Sequence, residues 1–138
     1  MGIYQKEIRL RPFCRGFHLI TEEIEDVLNS FEYVEAGMLH IFIKHTSASL
    51  CINENADSSV REDMENFFSE LADEKSYYIH TYEGADDMPA HIKASLLGSS
   101  LSIAITNSKM NLGVWQGIYL GEHRDYAGPR SLVVTLYF

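Results

Sequence analysis

The chain has 138 residues, enough for one packed core and short for two, so residues 1–138 read as a single domain. Its 46% hydrophobic and 22% charged residues are ordinary for a globular protein and exclude a disordered chain. Twenty acidic residues against 11 basic ones give a formal charge of -9 with no Lys/Arg cluster, which argues against nucleic-acid binding and is compatible with a site that collects cations.

Tyr4 to Leu10 alternates as a first strand, with Ile8 and Leu10 on one face, and Pro12 closes it. Cys14 and Cys51 have no metal-knuckle or disulfide spacing, which fits a reducing compartment. The N-terminal residues show no apolar signal core, no long apolar run follows, and Lys6 breaks the myristoylation pattern. A cytoplasmic protein without membrane attachment is expected.

Arg15 to His18 reads as a turn. Thr21 is the expected N-cap of a helix from Glu22 to about Phe31, with Ile24, Val27, Leu28 and Phe31 as its apolar stripe. Gly37 opens a strand whose Leu39, Ile41, Ile43 and His45 share one face.

Residues 45–57 follow, crowded with hydroxyls, amides and carboxylates, and read as turn, strand and helix start. Such groups can line a polar pocket, and they also cap helices and close turns. Asp57, Ser58 and Ser59 each suit the helix start, and Ser59 with Glu62 spells a capping box. Val60, Met64, Phe67, Phe68 and Leu71 are its expected buried stripe, with Glu65 largely outside.

Tyr77 to Tyr82 reads as an extended segment and residues 83–88 as a loop. Pro89 suits the first turn of a helix over 90–97 that Gly98 ends, placing His91 in the first turn, where the helix dipole favours its neutral form. Ser100 to Thr106 is a strand with a turn at 107–109. Val114 to Leu120 is another, carrying Trp115, Gly117, Tyr119, Gly121 and His123 on one side and Gln116 on the other. Ser131 to Phe138 is the last. Gly117 and Gly121 strip a strand face of bulk, which implies a close neighbour there.

His45, His91 and His123 come from three elements, and their convergence would make a three-histidine metal site, with Asp57, Asp86, Asp87 or Glu122 orienting the rings. No local ligand motif accompanies them. The same rings could instead serve as general acid and base, or be unrelated. Lys93, Arg124 and Arg130 are candidate anion holders for a phosphorylated substrate, and no phosphate-binding glycine loop or nucleophile elbow is present.

Four stretches then fall together: His45-Thr46-Ser47-Ala48-Ser49-Leu50, Asn53-Glu54-Asn55-Ala56-Asp57, Glu83 to Lys93, and Trp115 to Arg124. With them the chain resembles the YjbQ family from about Tyr4 to the C-terminus. Val114, Ser108-Lys109 and Ala127 depart from the family's usual residues around the turns and leave the histidines untouched.

The resemblance implies an α+β fold, with mixed or antiparallel sheets in a sandwich-like core and a few helices, assembled as a homotrimer. It implies a weak secondary thiamine-phosphate synthase activity, joining hydroxymethylpyrimidine diphosphate to thiazole phosphate with release of pyrophosphate. Metal-dependent hydrolysis and a non-catalytic binding module are the alternatives. Expected catalytic residues are His91, Glu122, His123 and Arg124. Ser47, Asn53, Asn55, Asp57, Lys93, Trp115 and Gln116 are expected to bind substrate, and His45, His91 and His123 to hold a divalent metal, zinc or magnesium.

Overall fold

The computed structural model describes residues 1–138. Strands β1 (Ile3–Arg9), β3 (Ala36–Ile43), β5 (Ser100–Thr106), β6 (Lys109–Met110) and β8 (Ser131–Tyr137) form one antiparallel sheet in the order β1-β8-β3-β5-β6. Strands β2 (Gly16–Leu19), β4 (Ala48–Glu54) and β7 (Gln116–Glu122) form a second, in the order β2-β7-β4. The fold is α+β, as the resemblance implied.

Alternation explains the core. Leu39, Ile41 and Ile43 of β3 and Leu132, Val134 and Leu136 of β8 point to the same side of the larger sheet. They pack with Leu50 of β4 and Ile118 and Leu120 of β7, all essentially inaccessible to solvent. Helix α1 (Thr21–Asn29) adds Ile24, Val27 and Leu28. Helices α2 (Ser58–Ala72) and α3 (Asp87–Leu97) pack against each other and against β2 and β4 of the smaller sheet.

Several expectations change. The segment at 15–18 is not a simple turn: Gly16–Leu19 pairs with β7 as an edge strand. Thr21 does not cap α1. It is already helical, and its hydroxyl accepts from the Ile118 amide at 3.0 Å, tying α1 to β7. Asp57 caps α2, accepting from the Ser59 amide at 2.9 Å, so the Ser59/Glu62 box is not used.

On α2 the expected apolar stripe is split: Val60, Met64 and Phe68 are half-buried, whereas Phe67 is 59% and Leu71 48% exposed. A half-buried polar row runs beside it, Glu65 and Ser69 of α2 and the C-cap Asp73, four residues apart and bound to Arg15. Residues 77–82 form no strand. Helix α3 begins at Asp87, which puts Pro89 third and His91 in the second turn, outside the reach of the first-turn dipole argument. Trp115 precedes β7 and is 64% exposed. No helix is long and apolar enough to cross a membrane.

Candidate functional site

The N-terminal end of α3 meets the turn that leaves β3. His91 Nδ1 lies 3.0 Å from the Thr46 carbonyl oxygen; a carbonyl only accepts, so Nδ1 carries a proton and Nε2 is the nitrogen left to take a metal or a second proton. Nε2 faces Asp87 Oδ2 at 3.2 Å, one helical turn earlier. His80 reaches the same oxygen from the loop before α3, Nε2 to Oδ2 at 2.7 Å. His80, Asp87 and His91 thus bring three donor atoms within 4.8 Å of one another.

Asp87 is 2% exposed and anchored from behind. Arg124 Nη1 donates to its Oδ1 at 2.7 Å, Arg124 Nε to Asp86 Oδ2 at 2.8 Å, and Arg124 Nη2 to the Glu83 carbonyl at 2.9 Å. Burial alone would raise the Asp87 pKa. The His80 hydrogen bond and the His91 and Arg124 charges outweigh it and hold the carboxyl below its usual range. Asp86 is held low in the same way, burial being overcome by Arg124 and by the Asp125 amide.

Beside this cluster runs a groove of about 490 Å³ lined by His45, Thr46, Ala48, His91, Ser95 and Ser99, among others. His45 contributes its edge. Its Nε2 accepts from the Ser131 amide at 2.8 Å, so this nitrogen is occupied and Nδ1 is the protonated one. Burial first, then the charges of Arg130 and Lys44, lower its pKa.

The convergence of His45, His91 and His123 is therefore corrected. His45 is bound to backbone, and His123 is 1% exposed with Nε2 on Ser49 Oγ at 2.8 Å. The third member of the cluster that includes His91 is His80, with Asp87 as the carboxylate. His80 lies seven residues before Asp87 on an irregular segment, a spacing no helix or strand makes meaningful. The only sequence signal was the i, i+4 pair Asp87 and His91.

The anion holders are corrected as well. Arg130 Nε and Nη2 bond both oxygens of Glu122, and Nη2 also donates to Ser47 Oγ at 3.0 Å, all buried. Lys93 is 0% exposed and 2.9 Å from Asp73 Oδ1. Arg124 is spent on Asp86 and Asp87. Glu122 and Ser47 are thus internal supports, not groups that meet a substrate.

The remaining predicted contacts lie apart from the histidines. Asn55 Nδ2 donates to the carbonyls of Val114 and Gln116 at 3.2 and 3.0 Å, and the Gln116 side chain accepts from Gly113. Both line a second groove with Thr21, Asn29 and Lys109. Asn53 accepts from the Glu54 amide, and Asp57 is the α2 cap.

Comparison with known proteins places this architecture. The family model described as UPF0047 protein YjbQ-like matches residues 6–137. The chain belongs to the YjbQ-like UPF0047 family. Within it, the UPF0047 protein YjbQ of Salmonella typhimurium is 53% identical over 133 residues, covering 96% of each chain. That of Escherichia coli O157:H7 is 50% identical over the same coverage. A solved YjbQ/UPF0047-family protein of Clostridium acetobutylicum superposes with a TM-score of 0.84 at 37% identity, covering 95% of this chain and 98% of the other. A YbjQ-like protein of unknown function from Sulfolobus solfataricus P2 shares the fold with a TM-score of 0.87, 22% identity and coverage of 98% and 96%.

Proposed function

We propose that this YjbQ-like protein is a divalent-metal enzyme acting on a small phosphorylated substrate in the groove beside α3. The observation that carries the reading is the approach of His91 Nε2 to Asp87 Oδ2 at 3.2 Å while His91 Nδ1 donates to the Thr46 carbonyl. Two lone pairs face each other there, and a cation or an added proton must lie between them. Two imidazoles, that of His91 backed by a carbonyl, and a carboxylate fixed by Arg124 are the donors and outer support a zinc-type ion takes.

When bound, the ion supplies positive charge that can polarise a phosphoryl oxygen or neutralise a leaving diphosphate. The chain's own part is different. Asp87 brings negative charge to the ion, Arg124 fixes Asp87, and Ser95, Ser99 and Thr46 offer hydroxyls along the groove. The reaction the family resemblance names, thiamine-phosphate synthesis within a homotrimer, is the specific form to test first.

Metal-dependent hydrolysis of a phosphate bond is the second reading. It is favoured by the pairing of Lys93, Arg124 and Arg130 with carboxylates, which leaves the ion as the main positive charge for a substrate. Purified protein is incubated with hydroxymethylpyrimidine diphosphate and thiazole phosphate, and separately with simple phosphate esters, with and without chelator. Chelator-sensitive thiamine phosphate supports the first reading and chelator-sensitive ester cleavage the second. Product formation by His80→Ala and His91→Ala at the native rate contradicts both.

A further inference from the structure

Where α2 and α3 pack together near the end of β7, the protein buries polar atoms that the metal reading does not use. Lys93 is 0% exposed and His123 1% exposed. Four buried atoms here, Lys93 Nζ, His123 Nδ1, Asp73 Oδ1 and Glu65 Oε2, have no hydrogen-bond partner among protein groups. Lys93 Nζ is 2.9 Å from Asp73 Oδ1, an ion pair that engages at most one of the three ammonium donors and leaves the others free.

Three of the four atoms belong to one connected cluster, and His123 lies within reach of its charges. Arg15 binds both Glu65 and Asp73, Asp73 pairs with Lys93, and His123 packs edge-on to Phe17, whose strand follows Arg15. Buried polar atoms of this kind are satisfied in folded proteins by protein groups or by internal water. Two cations, Arg15 and Lys93, already offset two carboxylates, so a neutral molecule fits better than an ion. It must accept from an ammonium, donate to carboxylates, and serve either tautomer of His123. Water does all three.

We propose that this space is an internal hydration site, in which ordered water joins Lys93 Nζ to His123 Nδ1 and to the free oxygens of Asp73 and Glu65. The site has a structural consequence for the groove. His123 holds Ser49 through its other nitrogen, and Ser49 lies on β4, next to Ala48 of the groove wall. Water fixed by α2 and α3 thereby orients the ring that braces this wall.

The test is a high-resolution crystal structure of the native protein, with water-to-protein NOEs to the His123 ring measured in solution. Expected is ordered water within hydrogen-bond distance of both Lys93 Nζ and His123 Nδ1, with matching NOEs. The proposal is overturned if Lys93 bonds only protein acceptors while His123 Nδ1 lies against carbon, or if anomalous maps show a metal ion in the space. Lys93→Met keeps the side-chain stem and removes the ammonium. It should lose the water bound at that position and let the His123 ring turn away from Ser49; unchanged water density would also overturn the proposal.

Discussion

Arg130 and Glu122 form a two-point pair inside the protein, Nε to Oε1 at 2.8 Å and Nη2 to Oε2 at 2.6 Å, with Glu122 0% exposed. Because Arg130 also holds Ser47, the pair ties the end of β7 to the turn that carries Thr46. Removing one member strands a buried charge. Arg130→Met should cost about 3–5 kcal/mol in urea denaturation, and adding Glu122→Gln should recover part of that loss. A single variant within experimental error of the native protein contradicts this role.

Gly121 lies opposite Ser49 in the register of β4 and β7. A Cβ there would overlap Ser49 Oγ and come within 2.8 Å of His123 Cε1 and Nε2. Gly121→Ala should therefore destabilise by about 1–3 kcal/mol by pushing the two side chains apart. Thermal or chemical denaturation measures the loss, and a stability equal to native would contradict the close approach.

Acid sensitivity follows from His123. Burial first, then the charges of Lys93, Arg130 and Arg15, lower its pKa from 6.5 to about 3. The unfolded chain takes up the proton first as pH falls, so this contribution to stability is complete above about pH 6.5 and is lost progressively down to about pH 3. The slope is up to about 1.4 kcal/mol per pH unit. Denaturation across this range should show a shallower pH dependence for His123→Gln than for the native protein; equal slopes would contradict it.

Arg124 grips Asp86 and Asp87 with separate nitrogens, which a lysine cannot reproduce. Arg124→Lys should leave the fold intact and weaken divalent-metal binding about 10- to 100-fold, the usual cost of losing an outer support of a ligand. Isothermal titration checks it, and unchanged affinity would detach Arg124 from the cluster.

The sheets were readable because β3, β5 and β8 bury one face, and period-two alternation writes that face directly into Leu39, Ile41 and Ile43, or Leu132, Val134 and Leu136. Strand β2 was not readable, being four residues long and beginning at a glycine. Glu65 and Ser69 of α2 and its C-cap Asp73 turn partly inward because Arg15, 50 or more residues earlier, meets them. Sequence periodicity cannot register such a partner.

The site was readable in halves. His91 and Asp87 stand one turn apart on a helix, whereas His80 joins them only through the path of an irregular loop. The roles assigned to Lys93, Arg124 and Arg130 changed because each finds a carboxylate remote from its motif or across a turn. Residues 45–57 remain important as a wall, with His45, Thr46 and Ala48 facing the groove while Ser47 and Ser49 are held from within.

The central claim, a divalent cation on His80, Asp87 and His91, is tested most directly by the metal content of protein purified without a tag, exposed to zinc or magnesium and dialysed. Native protein should retain a stoichiometric ion that a chelator removes. His80→Ala, whose side chain is 47% exposed and dispensable for packing, should keep its fold by circular dichroism and lose the ion. Native protein that holds no ion, or a His80→Ala variant that holds as much as native, would contradict the account.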